Sequence, residues 1–159
     1  MNVFAFSDNP MLCAEWQCDT HVNKMCIEAT QILNTALHRA DASNIAFYGK
    51  THANHPCCMW AARSFENWRW LYQHAMALGG EFSVRYGGNH KSVEKLRSLD
   101  LARVREVVPY GTFEQPPQAM PDDVKQACTY DAYREYYRQY KQPQDWFSYE
   151  KGRSSPSWL

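Results

Sequence analysis

The run from Asp19 to Arg39 constrains the fold more than any other part of this chain, because it carries two different stripes at helical spacing. Val22, Met25, Cys26, Ala29, Ile32, Leu33, Ala36 and Leu37 recur at the i, i+3, i+4, i+7 interval. A helix over residues 20–39 therefore buries one continuous apolar face and needs an apolar partner elsewhere in the chain. Beside that stripe His21, Lys24, Glu28 and Gln31 place an imidazole, an ammonium, a carboxylate and an amide on successive turns of one edge. Such a set is either a solvated face with weak pairing or an acid/base row on rigid backbone. The seven residues from His21 to Glu28 advance a helix by about 700°, which sets the two side chains within some 20° of each other and roughly 10 Å apart along the axis.

The partner stripe is read downstream. Pro56 opens a second long helical pattern with Trp60, Ser64, Trp68, Leu71, Ala75 and Leu78 on one side. Gly79-Gly80 ends or kinks it, Glu81 to Tyr86 continues it in the latter case, and Gly87-Gly88 stops it. A brief helix near Pro10 capped by Ser7 or Asp8, a cap at Asp19 or Thr20, a helix from about Lys91 to Leu99, a short turn to Val108 and a last helix over Tyr130 to Tyr140 complete the reading. Val3 to Phe6 reads as a short extended arm, Asp41 to Asn54 and the proline-rich Pro109 to Pro121 as non-regular, Asp122 to Cys128 as a turn of helix, and the tail from Gln142 as irregular and aromatic. The expected architecture is all-α, one domain over residues 1–159.

Composition narrows the function classes. Seventeen basic and seventeen acidic side chains give a formal net charge of zero, so no bulk field gathers polyanions and any nucleic-acid affinity must come from a local patch. The first 60 residues hold three Lys/Arg against five Asp/Glu, whereas Arg85 to Arg105 holds Arg85, Lys91, Lys95, Arg97, Arg103 and Arg105 against Glu94 and Asp100. That stretch, coupled to the tail Trp146 to Arg153, reads as a backbone grip with a stacking edge, or in isolation as solvated surface. No charged-then-apolar leader and no apolar run of bilayer length are visible, so a cytoplasmic protein with reduced thiols and no membrane partner is expected.

Histidine and cysteine crowd two places. Cys13, Cys18 and His21 form one set, and His52, His55, Cys57 and Cys58 gather at the mouth of the second helix. Either would suit Zn²⁺ by residue type, but neither CxxC nor HExxH is present, so no metal and no cofactor is expected. A thiol at Cys57 or Cys58, near a helix N-terminus and beside His55, is a rival nucleophile. The loop Thr51-His52-Ala53-Asn54-His55-Pro56 suits an anionic group such as phosphate, or is ordinary capping by Asn54 with Pro56 in the first turn.

The order of these blocks resembles the phage-type pyrimidine-dimer DNA glycosylase family, also called the endonuclease V family. The resemblance is carried by Asp19-x-His21 with Glu28 seven residues on, by a long helix introduced by His55 and followed by a basic stretch, by Met120-Pro121-Asp122-Asp123-Val124-Lys125, and by the aromatic segment Trp146 to Arg153. It implies a helical fold and N-glycosidic cleavage with AP-lyase activity, in which the α-amine at the chain start attacks the sugar C1′ and a helix-borne glutamate assists. Glu28 stands at that glutamate's position and His21 at the family's histidine. Asn2 is a poor context for removal of the initiator methionine, so the amine in question is that of Met1. The chain departs from the family in carrying Ile27 and Gln31 where arginines flank the glutamate, and in its neutral charge.

The expectation is therefore a DNA glycosylase-like protein acting on nucleic acid or a nucleotide. Its catalytic candidates are Glu28, His21 and Met1, and its substrate-binding candidates are Lys24, Gln31, His52, Asn54, His55, Arg63, Lys91, Lys95 and Trp146. The alternative is a non-enzymatic helical module that binds nucleic acid or protein.

Overall fold

The long amphipathic run forms one helix, α2 (Asp19–Arg39), and every apolar residue of its stripe is buried. The computed structural model describes residues 1–159 and contains seven α-helices and no strand. Before α2 lies α1 (Pro10–Glu15), capped by Asn9, whose Oδ1 accepts from the Met11 and Leu12 amides, and not by Ser7 or Asp8. Pro10 at the first helical position gives up an N–H that has no intrahelical partner there.

The second stripe does not form a single helix. It breaks into α3 (Pro56–Arg63) and α4 (Phe65–Tyr86), separated by Ser64 in an extended conformation. Ser64 Oγ accepts from the Asn67 amide at 3.1 Å and donates to the Thr112 carbonyl at 3.1 Å, while the Phe65 amide donates to the Pro109 carbonyl at 2.8 Å. The proline-rich segment thus supplies the backbone partners that a continuous helix would have supplied itself. α4 runs straight through Gly79-Gly80 and ends at Gly87, which takes a φ of 75°, the left-handed conformation glycine adopts most cheaply.

Two short helices follow, α5 (Lys91–Arg97) and α6 (Leu101–Val107), capped by His90 and Asp100. Asp122–Val124 makes one 3₁₀ turn, shorter than the Asp122 to Cys128 expectation. α7 (Thr129–Tyr136) runs on into a π-helical stretch, Tyr137–Lys141.

α2 packs chiefly against α3 and α4, and α1 against α4. One apolar cluster extends from Val3 through α2 to Val108 and on to Tyr133 and Tyr137. Trp68, fully buried on α4, donates its indole N–H to the Leu33 carbonyl of α2 at 3.2 Å. At about 25 cal/mol per Å² of apolar surface, large aromatics of this kind dominate what holds the helices together.

Two expectations are corrected by a buried charge cluster. Asp19 does not cap α2; Cys18 holds that position without a side-chain bond. Asp19 Oδ2 instead accepts from the Glu150 and Lys151 amides at 2.7 and 3.2 Å, and Oδ1 accepts from Arg85 at 3.1 Å. Arg85 is consequently no part of a surface patch. Its side chain is fully enclosed, bonded to Glu81 and Asp19 and to the carbonyls of Glu15 and Gln17. Arg153 reaches the other side of Glu81 at 2.8 Å, so the irregular tail is strapped to α4.

All six cysteines are unpaired, and no helix is long and apolar enough to cross a membrane.

Candidate functional site at the chain start and α2

The stretch Met1 to Phe6 is threaded into the core, with Val3, Phe4, Ala5 and Phe6 all buried and no strand partner. It lies along α2 in the opposite chain direction, Asn2 beside Glu28 and Phe4 beside His21. Asn2 fixes it at one end. Its side-chain amide donates to the Ala119 carbonyl at 2.9 Å, and its Oδ1 accepts from the Val3 amide and from the Tyr133 hydroxyl at 2.7 Å. Phe4 fixes it at the other, with a φ of 53° that costs a non-glycine residue energy. An aromatic cage offsets that cost: the Phe4 ring stacks on His21 with 4.5 Å between centroids and meets Tyr133 and Tyr137 edge-on.

This threading delivers the α-amine of Met1 to Glu28. The amine nitrogen lies 3.7 Å from Glu28 Oε2, and the same oxygen accepts the Asn2 amide at 2.9 Å. Lys24 Nζ stands 3.6 Å from Oε1, one helical turn away. The Glu28 side chain keeps 15% of its surface exposed. His55 joins them at the N-terminus of α3, where its Nδ1 accepts from the Cys57 amide at 3.2 Å. Burial lowers its pKa, and the neighbouring Met1 ammonium and His52 push the same way while Glu28 opposes them. The Met1 sulfur receives the Cys58 thiol at 3.5 Å.

Four expected site residues therefore converge, namely Met1, Lys24, Glu28 and His55, with His52 exposed nearby on the same loop. The remaining ones are dispersed. His21 does not share an open polar edge with Glu28, because the arm covers the space between them; its Nδ1 lies 2.7 Å from the Tyr137 hydroxyl and it is 4% exposed. Gln31 is half-buried on the turn after Glu28, and Asn54 is exposed. Arg63, at the far end of α3, is paired with Glu114. Lys91 and Lys95 are exposed on α5, Lys95 Nζ standing 5.4 Å from the Tyr48 ring. Trp146 rests on His21 with 5.0 Å between centroids and not on the basic stretch.

The rival chemistries find no support in the geometry. Burial pushes the Cys57 thiol up to about 12 and Cys58 to about 11, so neither presents a thiolate near neutral pH. No group of three or more His, Cys, Asp or Glu side chains is placed to hold a metal ion. Sequence reasoning missed Asn2 and Tyr133 as the pair that positions the arm; their contact spans 131 residues, and no local pattern announces it. In comparisons with protein-family models, characterised proteins and solved structures, nothing matches the chain.

Proposed function

We propose that the chain cleaves an N-glycosidic bond in nucleic acid or a nucleotide, with the α-amine of Met1 as nucleophile and Glu28 as its acid/base and electrostatic partner. The observation that carries this reading is the amine held 3.7 Å from the Glu28 carboxylate by an arm pinned at Asn2 and Phe4. The Glu28 carboxylate, 3.7 Å away, is placed to take the proton that the ammonium gives up before its lone pair attacks.

In the first step the amine lone pair forms a bond to the sugar C1′ while the bond from C1′ to the base breaks. The base leaves with that electron pair and takes up a proton. Transfer of a proton to the ring oxygen then opens the sugar and leaves an iminium ion at C1′. Abstraction of a C2′ proton expels the 3′ phosphate by β-elimination. A carboxylate beside C1′ opposes the positive charge that builds in the first step and persists in the iminium, and it is placed to move the C2′ proton. His55, with its Nδ1 accepting the Cys57 amide, has its Nε2–H to offer and serves as a donor.

The test is reductive trapping. Protein whose intact mass confirms an unblocked Met1 is mixed with an oligonucleotide bearing an abasic site in the presence of cyanoborohydride. The expected result is a covalent adduct mapping by peptide mass to residue 1. Glu28→Gln retains the acceptor for the Asn2 amide and should keep the melting temperature within a few degrees while slowing adduct formation by about 10²-fold. An adduct mapping to Lys24 would transfer the nucleophile's role to that side chain. The second reading, a non-enzymatic binding module, is favoured by the zero net charge and by the amine–carboxylate pair serving as a structural anchor. It takes over if no adduct forms while the unblocked protein still binds DNA.

A further inference from the structure

The Nε2 atom of His21 is a polar group aimed at nothing within the protein. The Tyr137 hydroxyl oxygen accepts the Cys18 amide at 3.1 Å, so its own proton is free for the nearest acceptor, His21 Nδ1 at 2.7 Å; the Cys18 sulfur, at 3.6 Å, is the poorer choice. With Nδ1 accepting, a neutral imidazole carries its proton on Nε2. Burial, reinforced by the charges of Lys141 and Lys24, lowers the pKa to about 3, so the ring stays neutral throughout the physiological range. Nε2–H is a fixed donor on a side chain only 4% exposed, and it has no acceptor in the protein.

What surrounds it has a consistent chemistry. Phe4 stacks on one face of the ring, and Trp146, itself 40% exposed, tilts against it. Trp146 is held in place where Thr20 Oγ1 donates to its carbonyl at 3.0 Å. Lys141 Nζ stands 4.5 Å from the Tyr136 ring, and Lys24 is largely exposed while touching Glu28. A neutral N–H donor, two ammonium groups and a half-open indole face together fit a ligand with anionic oxygens and a flat ring.

We propose that His21 Nε2–H, Lys24 and Lys141 form a phosphate subsite edged by Trp146, adjoining the Met1–Glu28 centre through Lys24, and that it takes the phosphate of a nucleotide with the base against the indole. The assignment of this phosphate to the substrate rests on the N-glycosidic reading above. The binding itself does not. Free nucleotide and strand phosphate share this chemistry, and the probes separate them.

The experiment follows the imidazole nitrogens of His21 by long-range ¹H–¹⁵N spectra during titration with thymidine 5′-monophosphate, with thymidine and with a short single-stranded oligonucleotide. The expected spectrum of the free protein is a neutral ring protonated on Nε2. The expected response is a shift of that nitrogen with the monophosphate or the oligonucleotide and none with thymidine; a tighter response to the oligonucleotide assigns a strand phosphate, a tighter response to the monophosphate a free nucleotide. Lys141→Ala, at a half-buried position, should weaken that binding by about tenfold, the scale of one charge-assisted hydrogen bond. Trp146→Ala should weaken the monophosphate and leave inorganic phosphate unchanged. An Nε2 signal that ignores both phosphorylated probes, or that answers thymidine equally, overturns the subsite. A phosphate response without any trapped adduct keeps the subsite and removes the glycosylase reading; an adduct without the response does the reverse.

Discussion

His74 sits fully enclosed on α4 with both ring nitrogens occupied, Nδ1 donating to the Pro10 carbonyl at 2.9 Å and Nε2 facing the Gln17 amide nitrogen at 3.2 Å. Burial lowers its pKa from 6.5 to about 4, and burial lowers those of His21, His55 and His90 as well. The sign follows directly: the unfolded chain takes up these protons near pH 6.5 while the folded one refuses them, so stability is complete above that value and falls as acid is added. Between pH 7.5 and 5, where carboxylates are still ionised in both states, the melting temperature should therefore decline. His74→Gln should lower the melting temperature throughout and make the decline shallower. A melting temperature flat across that window would show that these rings are protonated in the folded protein. The same residue shows what the sequence hides: a histidine among Trp70, Leu71, Ala75 and Leu78 carries no mark telling a satisfied core ring from a ligand. The converse holds for Arg85, which reads as surface charge until its carboxylates are located.

At the level of elements, helical periodicity in 20–39 was enough to place α2 and its buried stripe, and Gly87 was enough to stop α4. It could not place the break at Ser64, because the competing hydrogen bonds come from Pro109 and Thr112, more than 40 residues downstream. Nor could it say that α4 continues unbroken through Gly79. The glycine is there for close approach: a Cβ at that position would lie 2.6 Å from Val93 Cγ1 of α5 and 3.1 Å from its Cβ. Gly79→Ala gains helix propensity of roughly 1 kcal/mol yet should destabilise by about 1–3 kcal/mol net, as overpacking does, measured by urea denaturation. The double variant with Val93→Ala should recover part of the loss. A stabilised single variant would mean that α5 rides more loosely on α4 than described.

The whole molecule is closed by its charge cluster. Arg85, Glu81, Asp19 and Arg153 join the start of α2, the end of α4 and the tail, and every guanidinium nitrogen of Arg85 has a partner. Arg85→Met removes one side of two buried ion pairs and should cost about 3–5 kcal/mol, the usual penalty for a stranded buried charge. It should also free the tail, raising proteolysis after Lys151 and Arg153. If Arg85→Met instead leaves stability intact and weakens DNA binding, the residue belongs to an outer basic surface. The all-α class was legible from the two long stripes. The Met1–Glu28 meeting was suggested by family resemblance and not by any spacing within the chain, because the arm that produces it is ordered by aromatics from the opposite end.

That last dependence has a consequence for how the protein is made. Asn2 and Phe4 are held on one side by Glu28 and His21 and on the other by Tyr133 and Tyr137, so the arm has only half of its partners until the segment carrying the two tyrosines has been made. Contacts of such long range are slow to close and leave apolar segments uncovered in the meantime. The helices rest on local contacts, whereas the arm beside α2 is fully clasped only once Tyr133 and Tyr137 have docked on it.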